Sequence, residues 1–162
     1  MNLDLSGNHY MDGKDLWAAY NIFVERGSDG FLRYPERKES ITHDWGDSNG
    51  IDVDTSRVFL KDRDIVLEMA IIVEREEDFW QKYNGFIADL VQPGKRRWVV
   101  AVHRGFSYYV IYSKCDSFQT FTKWKNTGLI AGKFQITLHE PSPSIGAGDI
   151  ALADEDGRVI IT

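Results

Sequence analysis

The sequence predicts an α+β protein that is mostly antiparallel β, a β-sandwich or split barrel with one flanking helix at about residues 76–91. Three observations predict it. Apolar side chains alternate along several short runs, most clearly Ile65, Leu67, Met69, Ile71 and Val73, which is the period of a strand with one face on a core. One stretch changes to helical spacing, with Phe79, Trp80, Tyr83, Phe86, Ile87 and Leu90 on one stripe. Successive runs are separated by hairpin turn residues, as at Asn49-Gly50, Arg104-Gly105 and Asp156-Gly157.

Taken in order, Lys14–Val24 reads as extended, because Leu16, Ala18 and Tyr20 alternate with Trp17, Ala19 and Asn21 before Ile22-Phe23-Val24. Gly27-Ser28-Asp29-Gly30 breaks the run, and Phe31–Glu36 is short and irregular around Pro35. Glu39–Trp45 reads as a strand leading into the turn Gly46–Gly50, with Ile51 and Val53 on the returning strand. Asp64–Glu74 is the clearest strand; with Val66, Ala70 and Ile72 also apolar it is expected to be central and buried. In the helix, Glu76, Glu77 and Asp78 suit the positive end of the dipole, and Val91-Gln92-Pro93-Gly94 stops it. Arg97–His103, Phe106–Lys114 and Ile130–Glu140 are three further strands, the first two expected to join in a tight hairpin. These elements assign residues 1–140 to one domain, 141–148 with its two prolines to a linker, and 149–162 to a C-terminal hairpin arm.

Composition fits one globular unit. The chain has 162 residues, 43% of them apolar and 13% aromatic, enough large side chains to build a core without staples. A single cysteine, Cys115, excludes an internal disulfide and a thiolate zinc site. The longest stretches free of Asp, Glu, Lys and Arg are nine residues, Leu16–Val24 and Gly105–Ser113, too short for a membrane helix. The start of the sequence shows no secretory signal, so synthesis in the cytoplasm is expected. A net charge of −6 argues against nucleic acid as a partner.

No catalytic motif stands out. Asp44, Asp47, Asn49, Asp52 and Asp54 crowd one loop, yet with Gly50 at the sixth position of a calcium loop, Trp45 and Ser56 fall where acidic ligands are required. Turn stabilisation by Asp and Asn is the leading account of them, with a weak cation site of another kind as the alternative. His9, His43, His103 and His139 show no ligand spacing, Cys115 reads as a core or edge thiol, and neither a nucleophile elbow nor a phosphate loop occurs. Glu68 and Glu74 share a strand face and read as surface charge. No enzyme activity, metal or cofactor is therefore expected. Lys95-Arg96-Arg97 is a basic spot in an acidic chain, either solvated or turned to an acidic partner.

The order of the pieces carries more than any motif. Lys14-Asp15-Leu16, Ala19-Tyr20-Asn21-Ile22-Phe23-Val24, His43-Asp44-Trp45-Gly46-Asp47, Lys61-Asp62-Arg63-Asp64-Ile65, the helix, Pro93-Gly94-Lys95, Tyr108–Tyr112 with Cys115, and Phe134–Pro141 together resemble the phage tail family of distal tail and tail-tube-like proteins, over roughly residues 12–143. The resemblance implies a β-sandwich with one flanking helix whose subunits pack side by side in a ring, commonly a hexamer, of a phage or prophage tail. It implies a structural protein made in the bacterial cytoplasm and assembled into the virion tail, with itself and other tail proteins as partners. Larger distal tail proteins add a carbohydrate-module-like domain for which this sequence leaves no room, so ring formation rather than receptor binding is the implied role. Residues expected on the assembly surface are Trp45, Asp47 and Asn49 at the acidic turn, Arg96 in the basic spot, and Ile160 and Ile161 in the C-terminal arm. The rival reading is a monomeric glycan- or peptide-binding module using Trp17, Trp45 or Trp124 as stacking platforms.

Overall fold

The computed structural model describes residues 3–103, 106–121, 128–143, 152–153 and 159–160. Its frame is a seven-stranded antiparallel sheet. In chain order the strands are β1 (His9–Met11), β2 (Lys14–Asp15), β3 (Ile22–Arg26), β6 (Arg63–Val73), β7 (Arg96–Val100), β8 (Ser107–Phe121) and β9 (Ile130–Glu140), arranged β2-β1-β7-β8-β9-β6-β3. Two short strands, β4 (Thr42–His43) and β5 (Asp52–Val53), pair with each other outside that sheet.

The two halves of the sheet share β8. Its first residues pair with β7, from Val99↔Ser107 to Arg96↔Val110, and the rest pairs with β9, from Ile111↔His139 to Phe121↔Ala131. Register shifts at Tyr112/Lys114 and Cys115/Ser117 mark bulges, which bend and twist a strand. Met11, Trp98 and Val100 of one half and Ile22, Leu67 and Ile136 of the other belong to one buried cluster, so both halves of this mostly antiparallel fold line a single core. β6 and β9 run in unbroken register from Arg63↔Glu140 to Val73↔Ile130.

The alternation of β6 is as predicted, with Ile65, Leu67, Met69, Ile71 and Val73 buried. β6 is paired on both sides but stands second from the edge of the sheet rather than at its centre. The helix α2 (Glu76–Leu90) lays Phe79, Phe86 and Leu90 into the core, with Tyr83 and Ile87 partly buried beside them. Gly132 on β9 makes room for it: a Cβ there would stand 2.8 Å from Cζ of Phe79.

Three strand expectations are corrected. Lys14–Val24 is not continuously extended, because Leu16–Tyr20 forms a short helix, α1. Asp15 caps it, accepting hydrogen bonds from the backbone N–H groups of Trp17 at 2.9 Å and Ala18 at 3.2 Å, and Asn21 ends it in the left-handed region at φ 54°. The strand expected at Arg97–His103 ends at Val100 and continues as a 3-10 turn over Ala101–His103; Arg104 and Gly105 lie outside the described residues. The strand expected to stop at Lys114 runs on to Phe121.

At the C-terminal end, β10 (Leu152–Ala153) pairs with β11 (Val159–Ile160) through Leu152↔Ile160 and Ala153↔Val159, the hairpin expected there. Its turn and most of the Pro-Ser linker lie outside the described residues.

Candidate assembly surface

After a 3-10 turn over Ser28–Leu32, the chain leaves the sheet and returns at Arg63. The intervening segment folds back on itself as an arm. Its stem is held by backbone bonds from Lys61 N–H to the Glu36 carbonyl at 2.7 Å, Lys38 N–H to Phe59 at 2.8 Å and Asp54 N–H to Ile41 at 2.9 Å, and by the bridge Arg37↔Leu60. Beyond Thr42↔Val53 and His43↔Asp52 comes the turn signalled by Asn49-Gly50, with Gly50 at φ 76°.

None of the residues from Leu32 to Phe59 is buried. The arm nevertheless carries large apolar side chains: Ile41 is 81% exposed, Tyr34 76%, Phe59 60%, Ile51 56% and Trp45 52%. A two-stranded hairpin with water on both faces is marginal alone, and clustered exposed apolar groups mark contact surfaces. At the tip, Trp45 is set in place by its own neighbours. Its indole N–H donates to Asp52 Oδ2 at 2.6 Å, and the His43 ring stands edge-on with centroids 3.9 Å apart.

The base of the arm is clamped to the sheet. Arg63 donates to Glu140 Oε2 at 2.6 Å, to the Phe31 carbonyl at 3.1 Å and to the Arg33 carbonyl, so its guanidinium ties β9 to the segment where the arm departs. His139, cross-strand from Asp64, has Nδ1 2.7 Å from Asp64 Oδ1 and Nε2 3.3 Å from Asp62 Oδ2. Phe31 stacks on Tyr108 with ring centroids 4.4 Å apart.

Of the residues expected on an assembly surface, Trp45, Asp47 and Asn49 stand together at the exposed tip. Arg96 is elsewhere and is engaged within the chain. It donates to Asp12 Oδ2 at 2.9 Å and to the Pro93 carbonyl at 2.7 Å, pinning the β1–β2 turn to the loop after α2, and its side chain is 14% exposed. Ile160 is in β11, while Ile161 lies outside the described residues. The stem residues Ile41, Val58 and Phe59 were not singled out by sequence; their only signal is isolated large apolar residues in a charge-rich, aperiodic stretch. Trp17, a proposed stacking platform, is partly buried and edge-on to Phe23, and Trp124 lies outside the described residues.

Elsewhere the polar groups have structural work. Cys115 is exposed, at the bulges of β8, with its thiol 3.5 Å from the Ser117 carbonyl. Burial, followed by the neighbouring Cys115, pushes the Tyr83 hydroxyl up to about 12. Asp116 accepts from the Thr137 hydroxyl at 2.6 Å, and that bond together with Lys114 lowers its pKa. A cavity of about 240 Å³ opens beside His9, lined mainly by apolar residues such as Leu16, Ile22 and Val100. Among the described residues, no His, Cys, Asp and Glu side chains converge as a metal site, and no helix is long and apolar enough to cross a membrane.

No protein-family model and no curated protein sequence matches this chain. Its fold, however, is similar to that of the SPP1 Dit (gp 19.1) protein, described as a paradigm of the hub adsorption apparatus in phages infecting Gram-positive bacteria. The two agree with a TM-score of 0.52 at 14% sequence identity, over 85% of this chain and 53% of that one, so this chain spans about half the length of its structural neighbour and shares its fold.

Proposed function

We propose that this chain is a structural, non-catalytic component of a phage or prophage tail, which assembles with copies of itself into a ring and docks to neighbouring tail proteins. A hexamer is the expected ring. The observation that carries this reading is the fold shared with SPP1 Dit over 85% of the chain, together with an arm on which Ile41, Trp45 and Phe59 are each more than half exposed. Made in the bacterial cytoplasm, the protein would end in the virion tail.

The mechanism follows from the arm's geometry. An arm that leaves its own sheet carries one surface at its tip and another at its stem, so copies meet through unlike patches. Such a heterologous contact closes into a ring when the rotation between neighbours closes. The edge strands β2 and β3 are further places where backbone groups are open to pairing.

The test is solution mass over a concentration series, with electron microscopy of the most concentrated samples. The expected outcome is a concentration-dependent shift to a closed oligomer seen as rings. A monomer at every concentration, with glycan or peptide binding that Trp45→Ala removes, would replace this reading by the binding-module one.

A further inference from the structure

Charge is segregated along the arm. The tip, residues 42–53, carries Asp44, Asp47 and Asp52 and no Lys or Arg. The stem, residues 33–41 and 54–61, carries Arg33, Arg37, Lys38, Arg57 and Lys61 against Glu36, Glu39 and Asp54. One stem pair is satisfied internally, Lys61 with Glu36 at 3.3 Å. Among the described residues, the side chains of Lys38 and Arg57 on the stem and of Asp44 and Asp47 on the tip have no ion-pair or hydrogen-bond partner.

The same stem holds a cleft of about 440 Å³, between Lys38-Glu39-Ser40-Ile41 on one side and Asp54, Ser56, Arg57 and Phe59 on the other. Ile41 and Phe59 give it an apolar floor; Lys38 and Arg57 offset its own acids, Glu39 and Asp54. The tip ends in Trp45 and Ile51, both more than half exposed. Tip and stem therefore differ in sign and match in apolar character.

From this we infer that the arm's partner is the arm of a second copy of this chain, the acidic tip of one seated on the basic stem of the next, with Trp45 against Ile41 and Phe59. The inference rests on the ring-assembly reading and names the contact that would close it. A tip cannot fold back onto its own stem while the ladder from Glu36–Lys61 to His43–Asp52 is intact, so the complementarity is met between molecules. The contact runs head to tail, and every copy both gives a tip and receives one. Opposite potentials steer such an encounter, and added salt weakens it.

The test uses two charge-reversed versions of the full chain. The stem variant is Lys38→Glu with Arg57→Glu, and the tip variant is Asp44→Lys with Asp47→Lys. These positions lie outside the core, and an unchanged thermal unfolding curve for each checks the fold. Each variant alone should need about tenfold more protein to assemble, because like charges then face each other. An equimolar mixture should assemble again, since each tip then finds a stem of opposite sign. Rings that form equally well from either variant alone would overturn this contact and leave the ring reading standing. Loss in both variants without recovery in the mixture would also overturn it. No self-association of the unaltered chain at any concentration would overturn the ring reading together with it.

Discussion

The indole N–H of Trp98 donates to Nδ1 of His9 at 3.2 Å, joining two buried rings across the β1–β7 pair. The bond requires a neutral imidazole with its proton on Nε2, since a protonated Nδ1 would face another donor. Burial is the main cause that lowers the His9 pKa to about 4, with the nearby His103 adding to it and Asp15 opposing.

Stability should therefore fall on mild acidification. An unfolded chain protonates His9 near 6.5, the folded chain only near about 4, so the contribution is full above 6.5 and is lost as the pH drops through that window. The whole loss is on the order of 3 kcal/mol. Burial lowers the His103 pKa too and adds in the same direction. Urea unfolding between pH 7.5 and pH 5, above the carboxylate range, measures the slope, and His9→Gln should flatten most of it.

Phe86 and Trp80 share a helix and differ in burial, 0% against 47% exposed. Phe86→Ala should cost about 3–5 kcal/mol, whereas Trp80→Ala, stacked on Phe118 at the surface, should cost about 1 kcal/mol. Equal losses in chemical denaturation would mean that the surface pair bears as much of the packing as the core ring.

Gly132→Ala should destabilise by about 1–3 kcal/mol, because the new methyl meets Phe79 ring carbons at 2.8 and 2.9 Å. Phe79→Leu in the same chain should recover part of that loss. A double-mutant cycle reads the coupling directly, and additive losses would contradict the contact.

Replacing residues 37–60 with a short Gly-Ser turn should leave the melting temperature within about 2 °C, since none of those residues is buried. Assembly should disappear. A substantial fall in melting temperature would show instead that the arm supports the sheet.

What the sequence made legible follows what packs. β6 and α2 could be read because each lays a regular stripe on the core. α1 was misread because Leu16 and Tyr20, four residues apart, sit on one side of a helix and of a strand alike; the capping Asp15 was the discriminating signal. The far half of β8 was missed because Ser113–Thr120 is exposed throughout and leaves no apolar period. At the arm, Asn49-Gly50 marked the turn, but Ile41 and Phe59 showed no pattern, since period arises only where a surface has something of its own to face. Arg96 looked like part of a free basic patch because its partner, Asp12, is 84 residues away.

The order of the strands also sets a timetable. β8 and β9 are neighbours in sequence, while β1 must find β7 across the span from His9 to Val100. Loop closure grows costlier with length, and non-local pairing is slow. The sheet should therefore zip outward from the β8–β9 hairpin, with His9–Met11 acquiring protection from exchange only after Ile111–Thr120. On the ribosome the consequence is sharper: β1 has only the short β2 to pair with until Arg96–Val100 has been synthesised, and the exposed arm between β3 and β6 is made before that second partner.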